Sequence, residues 1–133
     1  GIIGFAKALE LAMMNYEKES AYIQSLKNYM IQELRNNIKG VSFNGDCEGK
    51  CLYTILSAAF PKTEKSEMIL FNLDMSNICV SGGSACSSGA DIGSHVIRAI
   101  NNNPGLVTVR FSFSKHNTKE EVDAVVAKLK ELI

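Results

Sequence analysis

The 133-residue sequence predicts an α+β fold: a short, mostly antiparallel sheet, helices on one of its faces, and a long helix at the N-terminus. Three observations predict it. Apolar residues recur at helical spacing from Ile3 to about Ile38, with no glycine or proline between Phe5 and Lys39. The stretch Val107–Phe113 alternates strictly between apolar and polar side chains, the period of a half-buried strand. Between them lie short apolar runs broken by turn residues, too brief for long helices.

The first helix carries Phe5, Leu9, Met13, Tyr16, Ile23, Met30 and Leu34 near one stripe, and Gly40 stops it. A straight helix of that span exceeds about 45 Å, longer than a domain of this size needs. We therefore expect residues 1–40 to be a linking helix and residues 41–133 to be a small α+β domain. The chain opens at Gly1 directly into apolar residues, so we expect it to begin inside a longer protein. Val41–Phe43 is a short strand closed by the turn Asn44-Gly45-Asp46. Cys51–Phe60 is β-compatible and ends at Pro61. Glu64–Asp74, with Met68, Ile69, Phe71 and Leu73, is a short helix, and Ile78–Val80 is a buried strand. Ser94 caps a helix to about Asn101 that should bury Val96, Ile97 and Ile100. Thr118 and Glu121 form a capping box for the last helix, whose apolar face is Val122, Val125, Val126, Leu129 and Leu132.

Composition narrows the function. Fourteen basic and fourteen acidic side chains balance, which argues against a binder of nucleic acid or anionic lipid. No apolar run is long enough to cross a membrane as a helix. The four cysteines, Cys47, Cys51, Cys79 and Cys86, form no dense disulfide framework, and a reducing compartment is expected. Cys47, Cys51 and Cys79 with His95 or His116 fit no strong zinc spacing, so no metal site is expected.

The segment Ser81–Ala90 is the most informative. Three glycines and four serines surround one cysteine, giving a permissive backbone with small polar neighbours. Such a loop presents Cys86 as an accessible nucleophile, or else is a linker with an incidental cysteine.

Val80-Ser81-Gly82-Gly83-Ser84-Ala85-Cys86-Ser87-Ser88-Gly89 resembles the active-site cysteine loop of NifS/IscS-type cysteine desulfurases. These are pyridoxal-phosphate enzymes of the class V aminotransferase superfamily. Ser94–Ile100 resembles the helix after that loop, Val109-Arg110-Phe111-Ser112-Phe113 the strand carrying the substrate-binding arginine, and Thr118–Ile133 the closing helix. The resemblance covers essentially the whole chain, as the C-terminal small domain of a fold-type I transferase. It implies that Cys86 attacks the sulfur of L-cysteine, that alanine leaves, and that Cys86 holds a persulfide for a sulfur-acceptor or scaffold protein in iron–sulfur or thio-cofactor assembly. It implies that Arg110 holds the substrate carboxylate as a bidentate fork. The loop residues Ser81, Gly82, Gly83, Ser84, Ala85, Ser87, Ser88 and Gly89 supply the reach of a mobile catalytic loop. Pyridoxal phosphate would be bound mainly by a large domain that carries the family's cofactor lysine, so this chain alone is expected to be inactive. A cytoplasmic homodimer is implied for the complete enzyme.

Three positions depart from the pattern: Gly82 where serine is usual, Gly93 for a common proline, and Ser114 for a common glycine. Two alternatives stay open, a non-catalytic interaction module and a related class V enzyme such as a selenocysteine lyase.

Overall fold

The computed structural model describes residues 1–82, 94–101 and 103–133. Helix α1 spans Ile2–Asn37, and its 36 residues extend about 54 Å at the usual rise. Its second half is the part that packs into the core: Ile23, Leu26, Met30, Ile31 and Leu34 are buried, while Ile2, Ile3, Phe5, Leu9 and Met13 stand in the open, Phe5 at 72% exposure, and Tyr16 meets the Tyr53 ring edge-on at 6.3 Å. Gly40 ends the helical region at φ +80, and a Cβ there would come 2.9 Å from Pro61 Cγ, so both conformation and space call for glycine.

Three strands form one antiparallel sheet in the order β1 (Ser42–Phe43), β2 (Ile55–Pro61), β3 (Leu106–Ser112). The register pairs Ala58 with Val109 and, one residue away, Ser57 with Arg110. Side chains alternate across a sheet, so this register assigns Leu56, Ala58, Phe60, Val109 and Phe111 to one face, and Ser57, Thr108 and Arg110 to the other. The first set joins α1 and helix α4 (Lys119–Leu132) in the core. Burying a large aliphatic or aromatic side chain contributes roughly 1.5–3 kcal/mol, so this two-layer contact is the main source of stability.

Helix α4 begins at the expected capping box. Thr118 Oγ1 accepts from the Glu121 N–H at 3.3 Å, and Glu121 Oε2 accepts from the Thr118 N–H at 3.1 Å. Its buried face is Val122, Val126, Leu129 and Leu132, with Val125 half-buried. Tyr29 on α1 donates to Asp123 Oδ1 on α4 at 2.7 Å and ties the two helices together.

Three expectations need correction. Ile78–Val80 is not a strand, and Cys79 is exposed rather than buried. The helix α2 (Ile69–Asp74), preceded by a 3-10 turn at Lys65–Met68, ends in Asn77 at φ 59. Beyond that left-handed residue, Ser81 is the one position between 78 and 82 with a ladder partner, bridging Arg110. Finally, α3 (His95–Ile100) buries none of its residues, and Val96 and Ile100 are exposed. It borders the sheet face opposite to the core, across a cavity that Ser57, Thr108 and Arg110 also line.

Candidate functional site

Arg110 sits on β3 next to its central residue Val109, and the register that buries Val109 and Phe111 assigns it to the face away from the helical core. There it lines a cavity of about 360 Å³ together with Ser57, Thr108, Asn44, His95 and Ile97. Arg110 is half-buried, and among the described residues its buried Nε has no hydrogen-bond partner. A buried donor left unpaired costs about 1–3 kcal/mol.

Asn44 completes the polar wall. Its side-chain amide donates to Ser57 Oγ at 3.1 Å and to Thr108 Oγ1 at 3.3 Å, and its Oδ1 is buried with no partner. Its backbone N–H donates to Ser57 O at 2.9 Å, which fixes the turn after β1 against β2. From sequence Asn44 reads only as a turn residue, because one strand-ending Asn-Gly pair does not reveal which strand its side chain meets.

Ser81 is held to Arg110 by two backbone hydrogen bonds, N–H to carbonyl at 3.1 Å one way and 2.6 Å the other. Thus the cysteine-bearing segment starts against the arginine strand, and Cys86 follows Ser81 by five residues. Cys86 itself, with Gly83, Ser84, Ala85, Ser87, Ser88 and Gly89, lies outside the described residues. A Cβ at Gly82 would approach Leu70 Cδ1 to 2.8 Å, so the glycine that replaces serine here leaves room for that side chain. Ser94 Oγ accepts from the Ile97 N–H at 3.4 Å, capping α3 as expected.

Eleven lysines are present, and none lines the Arg110 cavity. Only Lys27 is buried, at 0% exposure, and its ammonium donates to Leu52 O at 2.9 Å and Cys51 Sγ at 3.0 Å. The lysines of this chain therefore do not fit a covalent anchor for pyridoxal phosphate. Lys27 is not among the residues of the apolar stripe named from the sequence, yet it is fully buried. The signal was its i, i+4 spacing between Ile23 and Ile31, both buried. Among the described residues, no three His, Cys, Asp or Glu side chains gather to hold a metal ion. Among them, too, no helix is long and apolar enough to cross a membrane.

Comparison with known proteins places these features in context. Residues 1–125 match the family model described as aminotransferase class-V. The chain is 36% identical over 135 residues to a cysteine desulfurase IscS of Dictyoglomus turgidum, covering 100% of this chain and 34% of that protein. It is 30% identical over 127 residues to a mitochondrial cysteine desulfurase of Arabidopsis thaliana, covering 94% of this chain and 27% of that one. A solved NifS-like protein superposes with a TM-score of 0.75 at 25% identity, over 98% of this chain and 32% of its own. A NifS-like protein from Rickettsia africae gives a TM-score of 0.71 at 23% identity, with 97% and 33% covered, a likeness of fold. The chain spans about a third of the length of the curated relatives it matches.

Proposed function

Because the chain belongs to the aminotransferase class-V family, we propose that it is the C-terminal small-domain part of a cysteine desulfurase. The observation that carries the proposal is the pairing of Ser81 with Arg110, which starts the cysteine-bearing segment beside a guanidinium whose Nε is unpartnered.

In this reading each residue has a distinct task. Arg110 binds the carboxylate of L-cysteine through its planar fork, a geometry a point charge cannot reproduce. Asn44, Ser57 and Thr108 form the polar wall of its cavity. Cys86 accepts the substrate's sulfur as a persulfide, alanine leaves, and the sulfur passes to an acceptor or scaffold protein for iron–sulfur or thio-cofactor assembly. The small residues from Ser81 to Gly89 let the sulfur travel between the two partners. Pyridoxal phosphate belongs to the complete enzyme and is held by residues beyond this chain. The exposed first half of α1 runs towards the domain that carries it, and residues 41–133 form the small domain. The complete enzyme is a cytoplasmic homodimer. The chain alone does not turn over cysteine.

The test is product formation by the full-length protein. With L-cysteine and a thiol acceptor it forms alanine and releases sulfide, and Cys86→Ser abolishes both. Turnover of selenocysteine with no turnover of cysteine would assign the related lyase instead. No product from either amino acid would favour an interaction module.

A further inference from the structure

A second thiol site lies on the 44–53 connection, away from Arg110. Cys51 is exposed and Cys47 is half-buried against the core. The chain between them is pinned: the Gly49 N–H donates to Asp46 Oδ1 at 2.9 Å, and the Cys51 N–H donates to Gly49 O at 2.9 Å. These bonds fold residue 51 back onto residue 47, and the Cys51 thiol donates to the Cys47 carbonyl at 3.2 Å. Under the pair lies the buried Lys27 ammonium, 3.0 Å from Cys51 Sγ. Its charge and that of Arg35 also act on Cys47, but there the Glu48 carboxylate, ion-paired with Arg35, opposes them, so the cation serves Cys51 first. Accessible cysteines in electropositive surroundings are the ones that react, whereas buried thiols in apolar surroundings are inert.

We propose that Cys51 and Cys47 form a peroxide-sensitive dithiol in which Cys51 is attacked first and Cys47 resolves it to a disulfide. Cys51, as thiolate, attacks one oxygen of a hydroperoxide. An S–O bond forms, the O–O bond breaks, and the leaving oxygen takes a proton to depart as water or an alcohol. The Cys51 sulfur is oxidised by two electrons and the peroxide is reduced by two. Cys47 then attacks the sulfur of the sulfenic acid. An S–S bond forms, the S–O bond breaks, and hydroxide leaves with the Cys47 proton as water. In sum, two thiols and one hydroperoxide give one disulfide, one water and one alcohol, or two waters from hydrogen peroxide. Burial raises the pKa of the Cys47 thiol, which suits it to the second, intramolecular step rather than the first. The disulfide also takes from Lys27 one of its two acceptors, leaving Leu52 O alone.

The test uses the intact protein, hydrogen peroxide, and peptide mass mapping. The expected product is a Cys47–Cys51 cross-link lighter by two hydrogens and restored by dithiothreitol. In Cys47→Ser, dimedone traps a sulfenic acid on Cys51; in Cys51→Ser, the same dose leaves Cys47 unlabelled. Lys27→Met slows cross-linking several-fold, and Lys27→Arg, which keeps the cation, restores it. A cross-link to Cys79 or Cys86 instead would overturn the assignment. So would dimedone on Cys47 first, an oxygen-bearing bridge from Cys51 to Lys27, or no cross-link in folded protein.

Discussion

Arg110→Met separates what the guanidinium does for the fold from what it does for a ligand. Methionine keeps an unbranched stem on β3 and removes the Nε that lies buried without a partner. An unsatisfied buried donor costs about 1–3 kcal/mol, and no hydrogen bond or ion pair of the guanidinium to the described residues is lost in exchange. The ligand-free variant should therefore be as stable as the parent or more so, with a thermal midpoint unchanged or raised by several degrees. Binding should move the other way. Loss of a charge-assisted hydrogen bond to a carboxylate costs about 1.5–3 kcal/mol, or roughly ten- to a hundredfold in affinity for L-cysteine. Calorimetric unfolding reads the first effect, and titration of the full-length protein with L-cysteine reads the second. A midpoint that falls by several degrees would show that Arg110 is a structural residue. Cysteine affinity equal to the parent's would show that the carboxylate binds elsewhere.

Leu26→Ala should destabilise by about 2–5 kcal/mol, since the side chain is fully buried between α1 and its partners, whereas Leu9→Ala in the isolated chain should stay within about 0.5 kcal/mol. Urea unfolding of the two variants checks the contrast, and equal losses would contradict a helix packed mainly along its second half. The hydrogen bond to Asp123 raises the Tyr29 pKa to about 12. Because the protonated form is favoured in the folded state, the α1–α4 tie is fully present below the ordinary tyrosine value and is lost as pH rises through about 12. An alkaline absorbance titration, compared with Tyr29→Phe, locates that step; ionisation near the ordinary value would refute the tie.

The helices and the main strand were legible because their signals are local. The capping box at Thr118 and Glu121 needs only four residues, and the alternation through Val109, Phe111 and Phe113 needs only seven. Cys79 misled because Ile78-Cys79-Val80 is apolar and β-branched, while Asn77 upstream turns the chain away from the ladder. Val96 and Ile100 misled because α3 borders a polar sheet face, which its own sequence does not reveal. The sheet face of Arg110 was legible, because the alternation through Val107–Phe113 sets it opposite Val109 and Phe111. Asn44 was not, because its relation to Ser57 and Thr108 arises from pairing across three strands. Lys27 was hidden by its charge: what makes its burial tolerable is the Leu52 carbonyl, 25 residues away.

If Cys86 is the sulfur carrier proposed above, sulfur from cysteine must appear on it. The most direct measurement is the mass of the Cys86-containing peptide after brief exposure of the full-length protein to L-cysteine labelled in its sulfur, without an acceptor. This peptide should gain one labelled sulfur atom, removable by dithiothreitol, and Arg110→Met should slow the gain. Labelled sulfur on Cys47, Cys51 or Cys79 with none on Cys86 would contradict it.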